Sequence, residues 1–182
     1  MDQDFLRSLQ MVVDKQQILE LSHAYCQACD RHDFEKVRAL YHEDAIDDHG
    51  AFFTGPAMEY VDILPQISAN MEILHHNITT ANIRIDGDYA EGEIYGLAFH
   101  RARTETGPID VMVGTRFLDK YQRRGGVWKF SYRSHALDWA TVQDPSAVRL
   151  DYPWFTGSRI GKPGPDDPSY QFFRLFKHGG QG

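Results

Sequence analysis

Positive charge and cysteine are what this chain has least of. Nineteen Lys and Arg stand against 26 Asp and Glu, a formal net charge of −7. A nucleic-acid or anionic-membrane partner is therefore not expected, because phosphate surfaces are bound largely by basic ones. The only two cysteines are Cys26 and Cys29. Their C-x-x-C spacing suits redox or zinc chemistry, but they fall inside a helical pattern with no second pair, so they read as core cysteines of a helix. No apolar run approaches the roughly 20 residues of a membrane span. The opening MDQDFLRSLQ is acidic and has no apolar stretch, so a secretory leader is not expected and the expected compartment is the cytoplasm. Also lacking are a P-loop, a dinucleotide-binding glycine fingerprint, a G-x-S-x-G elbow and an H-E-x-x-H helix. A chain without these works with side chains alone, and neither cofactor nor metal is expected. His42-Glu43-Asp44 and Asp47-Asp48-His49 carry ligand-type residues, but they crowd at a strand entrance and read as a solvated acidic edge. A metal site needs a defined ligand count and geometry.

What is present is a strongly β-forming second half. Val111–Asp138 reads as two long strands joined at Arg123-Arg124-Gly125-Gly126, where two glycines supply the positive φ of a tight hairpin. Val111, Val113, Phe117 and Tyr121 precede that turn, and Val127, Trp128, Phe130 and Tyr132 follow it, a density of β-branched and aromatic residues typical of strands. Ile83–Ile85, the turn Asp86-Gly87-Asp88 and Tyr89–Arg103 repeat the plan. These segments predict an antiparallel meander of about four strands, long enough to curl into a cone or half-barrel.

The first half reads as helical. Asp14 with Gln17 resembles a capping box opening a helix Asp14–Asp30, and Asp33 is placed to cap a second helix, Asp33–Tyr41. Ala45–Asp48 reads as a short strand, with Phe52-Phe53-Thr54 placed to pair with it. A third helix runs Pro56–Met71, and Pro65 is expected to kink or split it. The chain of 182 residues, 42% hydrophobic, fits one domain of α+β class: a cone-shaped curved antiparallel sheet covered by N-terminal helices. That domain spans residues 1–140. Residues 141–182 form a proline-broken arm whose Trp154, Phe155, Tyr170, Phe172, Phe173 and Phe176 are too aromatic for a solvated tail. It is expected to pack on its own subunit or a neighbour's, with His178–Gly182 frayed.

Chemistry-bearing residues gather near element ends. Asp30 closes the first helix one turn beyond Tyr25, His75-His76 opens the strand system, His100 ends a long strand, and Arg133 and His135 lie on the last. An Asp that accepts from one imidazole nitrogen fixes its tautomer, leaving the other nitrogen to take or give a proton. If Trp128, Phe130 and Tyr132 face the core, strict alternation turns Arg133 and His135 away. Either a bulge resets the phase, or both sheet faces are covered, one by helices and one by another subunit. The second is favoured.

From Ile18 to Trp139 the chain resembles the SnoaL-like branch of the nuclear transport factor 2-like superfamily. The resemblance is carried by Asp33-Phe34-Glu35-Lys36-Val37-Arg38-Ala39-Leu40-Tyr41-His42-Glu43-Asp44-Ala45, by Thr54-Gly55-Pro56, by Ile83–Ala90, by Gly114-Thr115-Arg116-Phe117 and by Gly126-Val127-Trp128-Lys129-Phe130. Within that superfamily it is similar to the scytalone dehydratases, hexachlorocyclohexane dehydrochlorinases and bile-acid dehydratases, which eliminate water or HCl with an Asp–His dyad and no cofactor. The resemblance places Asp30 at the dyad aspartate and His76, with His75 as the alternative, at the dyad histidine. It places Tyr25 at the dehydratases' helix tyrosine, Arg133 at the dehydrochlorinases' arginine and His100 at a second histidine. It implies a lyase on a small aromatic or polycyclic substrate, with retro-aldol cleavage releasing formaldehyde and ketosteroid-type isomerisation as variants. It also implies a homo-oligomer, a trimer or dimer. The contrasting reading is a non-catalytic ligand-binding or dioxygenase small-subunit-like module, in which Asp30 and His76 need not touch.

Overall fold

A computed structural model describes residues 2–173 and 175. Three helices, α1 (Gln3–Asp30), α2 (Phe34–Ala39) and α3 (Ala57–Ser68), cover one face of a six-stranded curved sheet. The strands are β1 (Tyr41–Asp48), β2 (Thr54–Pro56), β3 (Met71–Asp86), β4 (Tyr89–Thr104), β5 (Gly107–Arg124) and β6 (Val127–Gln143). Their order is β2-β1-β6-β5-β4-β3. The expected α+β class and antiparallel meander are both observed, β3 to β6 being that meander. One contact escaped the sequence: β1 joins the meander by pairing parallel with β6.

The β5–β6 hairpin turns at Gly125 and Gly126, whose φ values of +59° and +83° are left-handed, where a Cβ would be strained. The alternation problem on β6 is resolved by a bulge, the alternative that was not favoured, so burial of Arg133 does not need a second covered face. Tyr121 pairs with Phe130 but Lys120 pairs with Tyr132, so Ser131 is an extra residue. The inserted residue resets the phase. Trp128 and Phe130 point into the core before it, Arg133 is buried on the same face after it, and Tyr132 turns out to donate to Asp48.

The helices also differ from expectation: α2 ends at Ala39 and α3 at Ser68, so Tyr41 and Met71 open strands instead. α1 begins at Gln3, capped by Asp2, and not at Asp14. Asp14 is instead a buried helix-interior residue that accepts from Gln10 Nε2, Arg123 and Trp128 Nε1 at 3.0, 2.7 and 3.0 Å. The extra N-terminal turns leave Phe5, Leu6, Leu9 and Val12 exposed. Pro65 does not divide α3, which continues through it. The proline lies on the exposed side, and the buried Tyr60, Val61, Leu64 and Ser68 hold the helix against the sheet. α2 starts as expected on Asp33, which accepts from the Lys36 N–H.

The core is aromatic around one cation. Ile18, Tyr25, Tyr41, Phe117, Tyr121, Trp128 and Phe130 are all buried. Arg133, fully buried, pairs with Asp119 through two bonds of 2.8 and 2.7 Å. Its guanidinium carbon lies 4.1–4.4 Å from the ring centres of Phe130, Tyr25 and Phe117.

After Gln143 the chain passes a cis Asp144–Pro145 bond into the arm, which carries the short helix α4 (Pro168–Phe172). The arm packs on its own chain. Ala147 N–H donates to the Asp110 carboxylate, Gly164 N–H to the Arg31 carbonyl, and buried Asp167 sits 3.5 Å from the Arg31 guanidinium. Phe176 and His178–Gly182 lie outside the described residues.

Removing Asp119 leaves the Arg133 charge buried without its counter-ion. Asp119→Ala is expected to lower stability by about 3–5 kcal/mol in urea unfolding. Asp62→Ala, which breaks the largely exposed Arg38–Asp62 pair, should cost less than about 1 kcal/mol.

Candidate active site

Between the helices and the concave sheet face lies a cavity of about 360 Å³, walled by Tyr25, Phe34, Tyr60, Leu64, Met71, Leu74, Phe117 and Leu137 among others. Four imidazoles line it: His49, His76, His100 and His135.

Asp30 is the last residue of α1. The helix stops there because His32 adopts a left-handed φ of +53°, after which Asp33 caps α2. A carboxylate at a helix C-terminus faces the negative end of the helix dipole and needs donors. His76 on β3 supplies them. Its Nδ1 lies 2.6 Å from Asp30 Oδ1, and its backbone N–H is 3.1 Å from each carboxylate oxygen. Because an ionised carboxylate only accepts, His76 Nδ1 carries the proton and Nε2 presents its lone pair. His75, the alternative, is exposed on the opposite side of the strand.

His76 pairs across β3–β4 with Ala98, and His100 lies two residues further along on the same face. His100 Nε2 is 3.4 Å from His76 Nε2. Burial, and to a lesser extent His76 beside it, push His100 down to about 4. It is a neutral imidazole at pH 7, lining the cavity beside His76.

Tyr25 reaches the cavity from α1 and its hydroxyl is 3.3 Å from that of Tyr60. Burial raises both phenols well above the ordinary tyrosine range, so each keeps its proton as a donor. Arg133 does not line the cavity. Its bonds to Asp119 hold it beneath the Tyr25 ring, so this resemblance-assigned site residue supports the cavity wall and does not face the cavity. Cys29 lines the cavity, but burial raises its thiol and pushes Cys26 up to about 12, so neither is a thiolate.

The residues missed by sequence reasoning sit on the opposite wall. Asp47 is fully buried, contrary to the expected solvated edge. It accepts from the Tyr41 hydroxyl at 2.7 Å and from His49 Nδ1 at 2.5 Å. The signal was available in the strand period: Ala45 and Asp47 alternate on one face of β1, and Ala45 is apolar. Beside His49 stands His135, whose Nε2 is 2.6 Å from Thr115 Oγ1. That hydroxyl donates onward to the Ala136 carbonyl, so it accepts from His135 Nε2–H. Burial, then His49 and Arg133, push His135 down to about 4. Among the described residues, no three His, Cys, Asp or Glu side chains are grouped to hold a metal ion, and no helix is long and apolar enough to cross a membrane.

A sequence profile of the SnoaL-like domain family matches residues 10–134. No curated protein matches the chain. Among solved structures, the hexachlorocyclohexane dehydrochlorinase LinA type 2 superposes with a TM-score of 0.71 at 18% identity, over 78% of this chain and 97% of that one. LinA-type3 from Novosphingobium barchaimii LL02 gives 0.68 at 17% identity, over 78% and 98%. A candidate scytalone dehydratase from Novosphingobium aromaticivorans DSM 12444 gives 0.68 at 22% identity, over 78% and 93%. Likeness at such low identity speaks for the fold alone.

The two depressed imidazoles predict a pH dependence of stability. His100 and His135 have an ordinary value of 6.5 and about 4 in the fold. Between those values the unfolded chain binds protons that the folded chain does not. Their stabilising contribution is therefore complete above about pH 6.5 and is lost progressively as pH falls toward about 4. The urea midpoint should drop from pH 7 to pH 5, with a shallower slope in the His100→Gln, His135→Gln double variant. NMR titration should show two histidine rings with midpoints near pH 4; midpoints near 6.5 for both would contradict the packing described.

Proposed function

This chain belongs to the SnoaL-like domain family, and on that premise we propose that it is a cofactor-free lyase that eliminates water from a small aromatic or polycyclic substrate. The observation that carries the reading is the 2.6 Å Asp30–His76 bond on the wall of an apolar cavity. A plain ligand binder has no need for a carboxylate that fixes an imidazole tautomer and turns Nε2 toward the cavity.

In this reading His76 Nε2 takes the proton from an acidic carbon of the substrate, and the Asp30 carboxylate supports the imidazolium as it forms. Tyr25 donates a hydrogen bond to the oxygen that gains charge, with Tyr60 beside it. Arg133 is a positioning residue that packs under Tyr25. His100, held neutral, is a hydrogen-bonding neighbour of His76 Nε2. A cavity of about 360 Å³ with Phe, Tyr, Met and Leu walls suits a flat bicyclic molecule. The same base would serve isomerisation or retro-aldol cleavage. Elimination is preferred because the structural neighbours include proteins named as dehydrochlorinases and a dehydratase.

The protein is further proposed to self-associate through the outer sheet face and the arm. Tyr95, Leu97, Met112, Leu118 and Trp139 are exposed on the strands, and Trp154 in the arm is 86% exposed. Large exposed apolar side chains on a sheet face are the material of contact sites. Light scattering at micromolar concentration should report a trimer or dimer, and a monomer would defeat this.

Asp30→Asn keeps the shape but weakens the imidazole's partner, and His76→Gln removes the base. Each should lower turnover by about 10²–10⁴-fold with the fold retained, and the double variant should be little worse than either. His75→Gln should be mild. The assay is a mass-spectrometric screen of hydroxylated aromatic and polycyclic ketones for loss of water or formaldehyde. Full activity in both single variants would defeat the dyad reading.

A further inference from the structure

We infer that Asp47 and His49 form a second proton-transfer pair, facing Asp30–His76 across the same cavity, and that His49 delivers the proton to the departing oxygen. The inference rests on the lyase reading and assigns the acid half of the elimination. Loss of water needs a base for the C–H bond and an acid for the C–O bond. After His76 has taken the first proton, it still has to be matched by one given to the hydroxyl.

The geometry singles out His49 among the cavity imidazoles. Asp47 holds its Nδ1 at 2.5 Å, and the carboxylate is itself fixed by the Tyr41 hydroxyl on its other oxygen. Two rings stack on His49, Tyr60 at 4.7 Å and 16° and His135 at 5.3 Å and 12°. With Nδ1 bound and the ring held by stacking, Nε2 is the nitrogen left for the cavity that His49 lines. Nε2 also lies 3.5 Å from the Tyr60 hydroxyl, which is next to that of Tyr25. The buried Asp47 carboxylate lies against Nδ1 as the counter-charge for a proton carried on Nε2.

The other candidates are committed elsewhere. His135 spends Nε2–H on Thr115. His100 and His135 are kept neutral chiefly by burial, and burial also makes Tyr25 and Tyr60 weaker acids. Arg133, the cross-strand neighbour of Asp47, is bound to Asp119 below the cavity floor.

The step then balances. The substrate C–H bond breaks and its proton goes to His76 Nε2. The electron pair forms the carbon–carbon double bond, the C–O bond breaks, and the leaving oxygen takes the proton from His49 Nε2 and departs as water. His76 ends protonated and His49 neutral, and exchange with solvent resets both. His49 is thus a catalytic residue and Asp47 a positioning one.

Two probes separate the halves. Exchange of the C2 protons of 1-tetralone in D₂O needs only the base. Conversion of 3-hydroxy-1-tetralone to 1-naphthol, read by fluorescence, needs base and acid together. His49→Gln should slow naphthol formation by about 10²–10³-fold and exchange by less than about threefold. Asp47→Asn should follow His49→Gln, with thermal unfolding checking the fold; if it does not fold, His49→Gln decides alone. Elimination that survives His49→Gln, or exchange and elimination falling by the same factor, overturns the inference and leaves Asp30–His76 standing. A wild-type protein that performs neither reaction, or an Asp30→Asn variant that retains both, overturns the lyase reading itself and this inference with it.

Discussion

A guanidinium with no access to water is the constraint around which the rest of this protein is arranged. Burying an unpaired cation would cost several kcal/mol, so Arg133 must keep Asp119, and both must lie on the concave side. The Ser131 bulge puts Arg133 there, one residue out of the phase set by Trp128 and Phe130. Three aromatic rings then close over the cation at 4.1–4.4 Å, which is where such a charge is best tolerated by an apolar core. One of those rings is Tyr25, and its hydroxyl is thereby held at the cavity. The buried charge reaches further: it disfavours a proton on His135 and so helps keep that ring a neutral hydrogen-bond donor to Thr115.

The cavity above this floor is chemically two-sided. Four imidazoles share one apolar space, and their surroundings divide them into two kinds. His76 and His49 each give Nδ1–H to a buried aspartate. His100 and His135 have none and are neutral from burial. The two aspartate-paired imidazoles are also separated by the topology: Asp30 and His76 come from the end of α1 and from β3 at one sheet edge, Asp47 from β1 near the other with His49 just after it.

Much of this was legible in the sequence, and the exceptions have physical causes. The β5–β6 turn was readable because two adjacent glycines have few other uses. Asp30 was readable as a helix end because Asp33 begins a new cap three residues on, and the family resemblance gave it His76. A bulge was one of two readings, but its place at Ser131 was not readable: a serine between aromatics looks like any solvent-facing residue, and a one-residue slip inverts every side chain after it. Asp14 misled because an Asp with Gln three residues later fits a cap, while only the fold shows Arg123 and Trp128 converging on it. Asp47-Asp48-His49 misled because charge density suggests solvent. In a strand, neighbours face opposite ways, so Asp47 is buried while Asp48 caps Gly50 and Thr54 outside.

The arm gives the site a second anchor. Asp30 sits where a helix frays most readily, on its last turn and against the dipole. A carboxylate in that place would wander unless the next residue were held. Arg31 is held twice, its carbonyl by Gly164 N–H at 2.7 Å and its guanidinium near Asp167. Asp167 is in turn organised by the backbone N–H groups of Lys162 and Ser169. The proline-rich composition that forbids regular structure in the arm also stiffens it. A rigid strap can therefore fix the peptide beside Asp30 without adding a strand to the sheet. The α1 end is clamped from one side by His76 and from the other by the arm, which is the degree of preorganisation that a 2.6 Å carboxylate–imidazole contact requires.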